Sequence, residues 1–144
     1  MSTPNVTPDT KLVAQAPGPR KIPAPRTLPE TQAFWHGADE GTLLIKKCQA
    51  CGQVHFYPRD ICPTCLSDQT EWLAAAGTGT VYSFSTMGRE AAAYTLAYVT
   101  LDEGVTMMTN LVDCDPRSVV IGQRVKVVFK PSEGGHPVPM FTPV

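Results

Sequence analysis

From Gly77 onward, apolar and polar residues alternate with a period close to two. A side chain that changes face at every step marks a half-buried strand. The pattern predicts strands at 80–86, 94–101, 105–112, 124–130 and 138–141. Turn residues separate them: Met87-Gly88, Asp102-Glu103-Gly104, Asp113 to Pro116 and Glu133-Gly134-Gly135. Five strands in so short a stretch predict a small barrel, because closing the sheet leaves no exposed edge. Shorter strand-like runs precede it at 42–46, 54–57 and 71–75.

Upstream of these runs the pattern turns helical. Thr27-Leu28-Pro29-Glu30 fits a capping box with proline early in the first turn, so a helix is predicted over 30–39, ending near Gly41. Phe34 and Trp35 form its apolar side. A helix this short is marginal alone, so those rings must pack on something. The cover is either the chain's own body or the surface of a partner. Residues 1–29 hold seven of the fourteen prolines, a density that precludes helices and sheet ladders. The segment reads as a disordered tail, or as an extended arm that wraps a partner through Leu12, Val13, Ile22 and Leu28.

Length and composition narrow the picture further. A chain of 144 residues is one compact domain or two very small ones. The formal net charge of −1 argues against a protein built for nucleic acid, where a basic domain is expected. No run of apolar residues is long enough to span a membrane, and no basic start leads into an apolar stretch at the N-terminus. The expectation is a cytoplasmic protein. There thiols stay reduced, and spaced cysteines are metal ligands more often than disulfides.

The cysteines carry the strongest signal. Cys48-Gln-Ala-Cys51-Gly52 is followed, ten residues later, by Cys62-Pro-Thr-Cys65. Two residues between paired cysteines let one tight turn present both sulfurs to one ion. Gly52 relieves a left-handed backbone after the first pair, and Pro63 fixes the second turn. Two such knuckles supply four thiolates in the tetrahedral arrangement that structural zinc prefers. Iron competes, since a four-sulfur site suits either metal. Zinc is favoured because no second redox motif accompanies the site. Four protein ligands close the coordination sphere, so the ion's role is structural. Cys114 lies between Asp113 and Asp115, where neighbouring carboxylates disfavour a thiolate, and it reads as an ordinary free thiol. His55 reads as a strand residue and His136 as part of a loop. No nucleophile elbow, phosphate-binding glycine loop or zinc-protease motif is present, so no catalytic set is predicted.

These residues resemble the opening of a known family. Phe34-Trp35 and Gly41-Thr-Leu-Leu lead into the first cysteine pair, followed by Tyr57-Pro58-Arg59, the second pair and Trp72. Gly77-x-Gly79-Thr80-Val81-Tyr82-Ser83 and Gly122-x-x-Val125-x-Val127-x-Phe129 complete the order. Together they are similar to the acyl-CoA-associated zinc-ribbon/OB-fold proteins, over residues 30–144. The resemblance implies a mainly β fold: a short N-terminal helix (30–41), a rubredoxin-like zinc ribbon (42–76) and a five-stranded OB-fold barrel (77–144), with 1–29 outside it.

It also implies a function. Family members resemble non-catalytic accessory subunits of thiolase-type enzymes, or of hydratases and aldolases, acting on CoA thioesters. The expectation is a zinc-bearing subunit that docks on a thiolase-like partner through the N-terminal arm and the Phe34/Trp35 helix. A CoA thioester would then lie at that interface, with Lys46, Lys47, Arg59 or Arg89 near its phosphates or simply solvated. The alternatives are a subunit of a hydratase or aldolase complex, or a free-standing OB module for acyl-CoA or nucleic acid. Nucleic acid is disfavoured because five Lys/Arg face six Asp/Glu in 77–144. Tyr82, Phe84, Tyr94, Tyr98 and Phe129 are expected to pack in the barrel core.

Overall fold

The computed structural model describes residues 18–144. A three-residue 3-10 turn, Pro29–Thr31, leads into helix α1 (Gln32–Asp39). The ribbon sheet follows as β1 (Leu44–Cys48), β2 (Val54–His55) and β3 (Thr70–Ala74), in the antiparallel order β2-β1-β3. The chain then forms a closed barrel from β4 (Thr78–Met87), β5 (Tyr94–Leu101), β6 (Thr106–Leu111), β7 (Arg124–Lys130) and β8 (Val138–Pro143), in the order β4-β5-β6-β8-β7. The mainly β reading holds.

The helix start differs in detail from its sequence signature. Thr27 is not the cap; the Thr31 hydroxyl accepts from the Leu28 amide at 3.0 Å and donates to the Leu28 carbonyl at 3.1 Å. Gly41 then takes a positive φ of 74° and ends the helix, as a residue without a Cβ can do at little cost. Phe34 and Trp35 are only 2% and 6% exposed. Phe34 meets Trp35 edge-on at 4.8 Å between ring centroids and Phe56 at 5.8 Å. The two rings are therefore covered by this chain's own body, which corrects the expectation that they form a docking face. Amphipathicity announces that a face will be covered, not by what.

The arm also touches this chain where it is described. Leu12 and Val13 lie outside the described residues. Within them, Pro23 pairs in parallel with Glu133, the Glu133 amide donates to the Ile22 carbonyl at 2.9 Å, and the Arg20 guanidinium sits 3.8 Å above the Tyr94 ring. This stretch lies along the chain's own barrel.

Inside the barrel, Val81, Ala97, Val99, Leu101, Met107, Leu111, Val125 and Phe141 form one buried cluster that continues into Phe34, Trp35, Ala38, Leu43 and Ile45 of the helix and ribbon. At Gly79 a Cβ would lie 2.6 Å from the Thr100 carbonyl oxygen, so only glycine lets β4 run this close to β5. The expected aromatic core is wrong for Tyr82 and Tyr98, which are exposed. The β4–β5 register shifts between Val81 and Ser83, which leaves Tyr82 as the extra residue of a bulge. In β5 the inward set is Thr95, Ala97, Val99 and Leu101, which turns Tyr98 outward.

Candidate metal centre

The four cysteines sit on two turns of matching geometry. In the first, the Cys48 amide donates to the Gln53 carbonyl at 2.8 Å and the Gly52 amide to the Cys48 carbonyl at 2.9 Å. In the second, the Cys62 amide donates to the Ser67 carbonyl at 2.9 Å and the Leu66 amide to the Cys62 carbonyl at 3.0 Å. Each turn buries its leading cysteine, Cys48 or Cys62, and leaves its trailing one, Cys51 or Cys65, exposed. Strand β1 delivers Cys48, and its pairing with β3 fixes that end of the ribbon through Cys48 opposite Thr70.

The turns face each other. Cys48 and Cys65 Sγ are 3.6 Å apart, Cys51 and Cys62 Sγ are 3.7 Å apart, and all four sulfurs lie within 4.8 Å of one another. A disulfide would need about 2 Å. Four sulfurs at about 2.3 Å from a central zinc stand roughly 3.8 Å apart, so the observed spacing suits a tetrahedral ion. The donor set fits a structural metal. Among the described residues this is the one cluster whose ligand atoms converge in this way.

Electrostatics favour the same occupant. The Cys65 amide, opposed by burial and helped by the Thr64 amide, holds the Cys62 thiol down at about 6. The Cys51 amide lowers Cys48, against burial and together with Ala50. Cys65 moves the other way: the Ser67 amide would lower it, yet burial and the three neighbouring sulfurs outweigh that and push it up to about 12. Without a cation the four sulfurs cannot all be thiolates at neutral pH, because each negative charge raises the next. A divalent ion removes that conflict.

The ribbon is braced by contacts that the sequence did not announce. Lys46 is only 5% exposed. Its Nζ donates to Asp60 at 3.4 Å and Thr70 at 3.3 Å, and lies 4.3 Å over the Trp72 ring. It is therefore neither a solvated charge nor free for a phosphate, which corrects its place among the expected CoA contacts. Lys47, Arg59 and Arg89 remain exposed. His55 ends β2, buried, with Nε2 3.3 Å from the Arg59 carbonyl oxygen. His136 lies in the loop before β8, 2.9 Å from Asp39 at the end of α1, and so ties helix to barrel. The Ala76 amide donates to Glu103 at 2.6 Å and fastens the link between ribbon and barrel. Cys114 lies apart from the cluster, and burial, then Asp113 and Asp115, push its thiol up.

A cleft of about 470 Å³ opens where helix, ribbon and barrel meet, lined by Trp35, Phe56, Tyr57, Tyr98, Met107 and Met108 among others. Among the described residues, no helix is long and apolar enough to cross a membrane.

Comparison with known proteins places this architecture. Residues 35–71 match the family described as ChsH2, rubredoxin-like zinc ribbon domain, and residues 72–130 match ChsH2, C-terminal OB-fold domain. A DUF35 domain-containing scaffold protein of Methanothermobacter thermautotrophicus is 37% identical over 109 residues, covering 70% of this chain and 82% of the relative. A protein of the same description from Methanocaldococcus jannaschii is 35% identical, covering 69% and 75%. A probable enoyl-CoA hydratase alpha subunit of Thermomonospora curvata is 33% identical, but the match spans 77% of this chain and only 37% of that longer protein. Among solved structures, one described as an Ltp2-ChsH2(DUF35) aldolase superimposes with a TM-score of 0.72 at 31% identity, covering 83% of this chain and 98% of the other. The likeness of fold, ribbon cysteines and sequence shows that this chain belongs to the DUF35 family typified by ChsH2, in which a rubredoxin-like zinc ribbon precedes an OB-fold.

Proposed function

We propose that this chain is a non-catalytic, zinc-bearing accessory subunit of a cytoplasmic enzyme complex that acts on β-ketoacyl-CoA, with a thiolase-type catalytic partner. In this reading Cys48, Cys51, Cys62 and Cys65 hold one structural Zn2+, and the divisions 1–29, 30–41, 42–76 and 77–144 are arm, helix, ribbon and OB-fold. The observation that carries the accessory-subunit part of this reading is the match, over 98% of its length, to the chain of the Ltp2-ChsH2(DUF35) aldolase, a relative whose description names a second protein. The thiolase type of the partner rests on the family resemblance of the sequence. The description of two further relatives as scaffold proteins supports an assembling role. The metal site supports it too, because four protein ligands leave an ion no open position for substrate or water.

In this reading a CoA thioester lies at the interface with the partner. The apolar cleft between helix and barrel gives this chain a surface of the size and lining that accommodate small ligands. A second reading, an aldolase in place of the thiolase, is favoured by the same solved relative. The test is purification of the chain from its own host. A complex with an acyl-CoA-processing subunit whose activity falls when this chain is removed is the expected result. A lone chain with no such partner would contradict the proposal.

A further inference from the structure

The two knuckles share one hydrogen-bond pattern, so residues 52 and 66 occupy equivalent places. Both take a left-handed backbone, with φ of 75° at Gly52 and 63° at Leu66. Glycine adopts this conformation freely, whereas an L-residue with a Cβ loses stability in it. Leu66 thus carries strain that the sister knuckle avoids. Leu66 is also 76% exposed, so it buries little apolar surface within this chain. Ile61, which precedes Cys62 at the base of the same knuckle, is 49% exposed. Strain and apolar exposure coincide at one protruding tip. The left-handed turn closes the knuckle, but nothing in this chain uses a large apolar side chain there.

Charge around the tip identifies what suits it. Asp60 and Asp68 flank Ile61 and Leu66 in sequence and are both exposed, and Glu30 lies against this edge, its carboxylate accepting from the Asp60 amide at 3.3 Å. Arg59 is an exposed base beside the tip and Lys46, buried beneath, pairs with Asp60, so among the described residues Asp68 and Glu30 supply the unpaired acidity. The tip is therefore an apolar plug with an acidic rim.

We propose that the Cys62–Leu66 knuckle is a docking plug that seats Leu66 and Ile61 in an apolar socket with a basic rim on the catalytic subunit. This rests on the accessory-subunit reading above. A large apolar side chain at the centre of a contact carries more of the affinity than the polar residues around it, while the rim sets orientation and salt dependence.

The test is the Kd of the intact chain for its purified catalytic subunit, compared with Leu66→Gly and with Ile121→Ser on the barrel, an equally exposed apolar site. Leu66→Gly installs the residue that the sister knuckle already uses. It should keep its zinc content and melt no lower than wild type, yet bind at least about tenfold more weakly. Ile121→Ser should bind unchanged, and wild-type affinity should fall as salt rises. Should Leu66→Gly disturb the metal, Leu66→Asn, which also tolerates this backbone, reads the same loss. Wild-type affinity in a zinc-loaded Leu66 variant would overturn the docking plug and leave the accessory-subunit reading standing. A wild-type chain that binds no catalytic subunit would instead bring down that underlying reading.

Discussion

The ribbon closes on four sulfurs, whereas the barrel closes on side chains such as Val81, Val99, Val125 and Phe141, each at most 1% exposed. The ribbon sheet is small: β2 has two residues, and β1 and β3 have five each. So little structure cannot bury enough apolar surface to fold by that means alone, and units of this size normally need a metal or disulfides. The barrel closes without an ion of its own, because five strands wrap a common interior and leave no sheet edge open. The difference shows where each region can vary. With an ion bound by the four cysteines, ribbon loops such as the Leu66 knuckle would be held at their base, and their tips would be free to carry strain and exposed apolar groups. Barrel strands have no such external anchor, and their inward residues must fit one another.

The largest effect should follow from breaking the metal set. Cys62→Ser removes a buried thiolate, and in small zinc domains the metal supplies about 10–16 kcal/mol of folding free energy. The variant should lose its zinc and the hydrogen-exchange protection of β1 to β3, while amides of β4 to β8 stay protected. Equal loss of protection in both regions would show that the barrel depends on the ribbon after all.

The converse substitution is Phe141→Ala, at the centre of the barrel. Deleting a fully buried phenylalanine costs roughly 3–5 kcal/mol. The melting temperature should fall sharply while zinc content at low temperature remains that of wild type. Early release of zinc on heating this variant would mean that the two regions melt as one.

A smaller effect tests the barrel surface. Asp102 accepts from Arg124 at 2.7 Å and also pairs with the Thr78 hydroxyl, and these partners hold its carboxyl down at about 2. A carboxyl lowered on folding stabilises the native state above its unfolded pKa, and that contribution disappears as pH falls toward the folded value. Asp102→Asn should therefore be less stable than wild type at neutral pH, by less than Phe141→Ala. The gap should close between about pH 4 and pH 2. A gap independent of pH would assign the loss to something other than the Arg124 pair.

What could be read from the sequence divides along the same line. The convergence of the four cysteines was legible because its geometry is local: two cysteines and a turn residue within a few positions dictate where the sulfurs point. Strand positions were legible from alternation, and Tyr94–Leu101 and Arg124–Lys130 match their predicted spans. The inward phase was not. In Tyr-Thr-Leu-Ala-Tyr-Val-Thr-Leu both alternating sets contain apolar residues, and the bulge at Tyr82 reverses the phase along β4. The burial of Lys46 depends on Trp72, Thr70 and Asp60, which reach it only once the ribbon is folded. Leu66 was readable in principle, since Cys51-Gly52 and Cys65-Leu66 differ at an equivalent place. The strain there becomes visible only with the backbone angle.

The most direct measurement of the central claim is native mass spectrometry of the chain purified from its own host at modest salt. The account predicts a hetero-oligomer in which each copy of this chain carries one zinc and is bound to a catalytic subunit that acts on a CoA thioester. A zinc-bearing monomer with nothing attached, in material where that catalytic subunit is present, would contradict it.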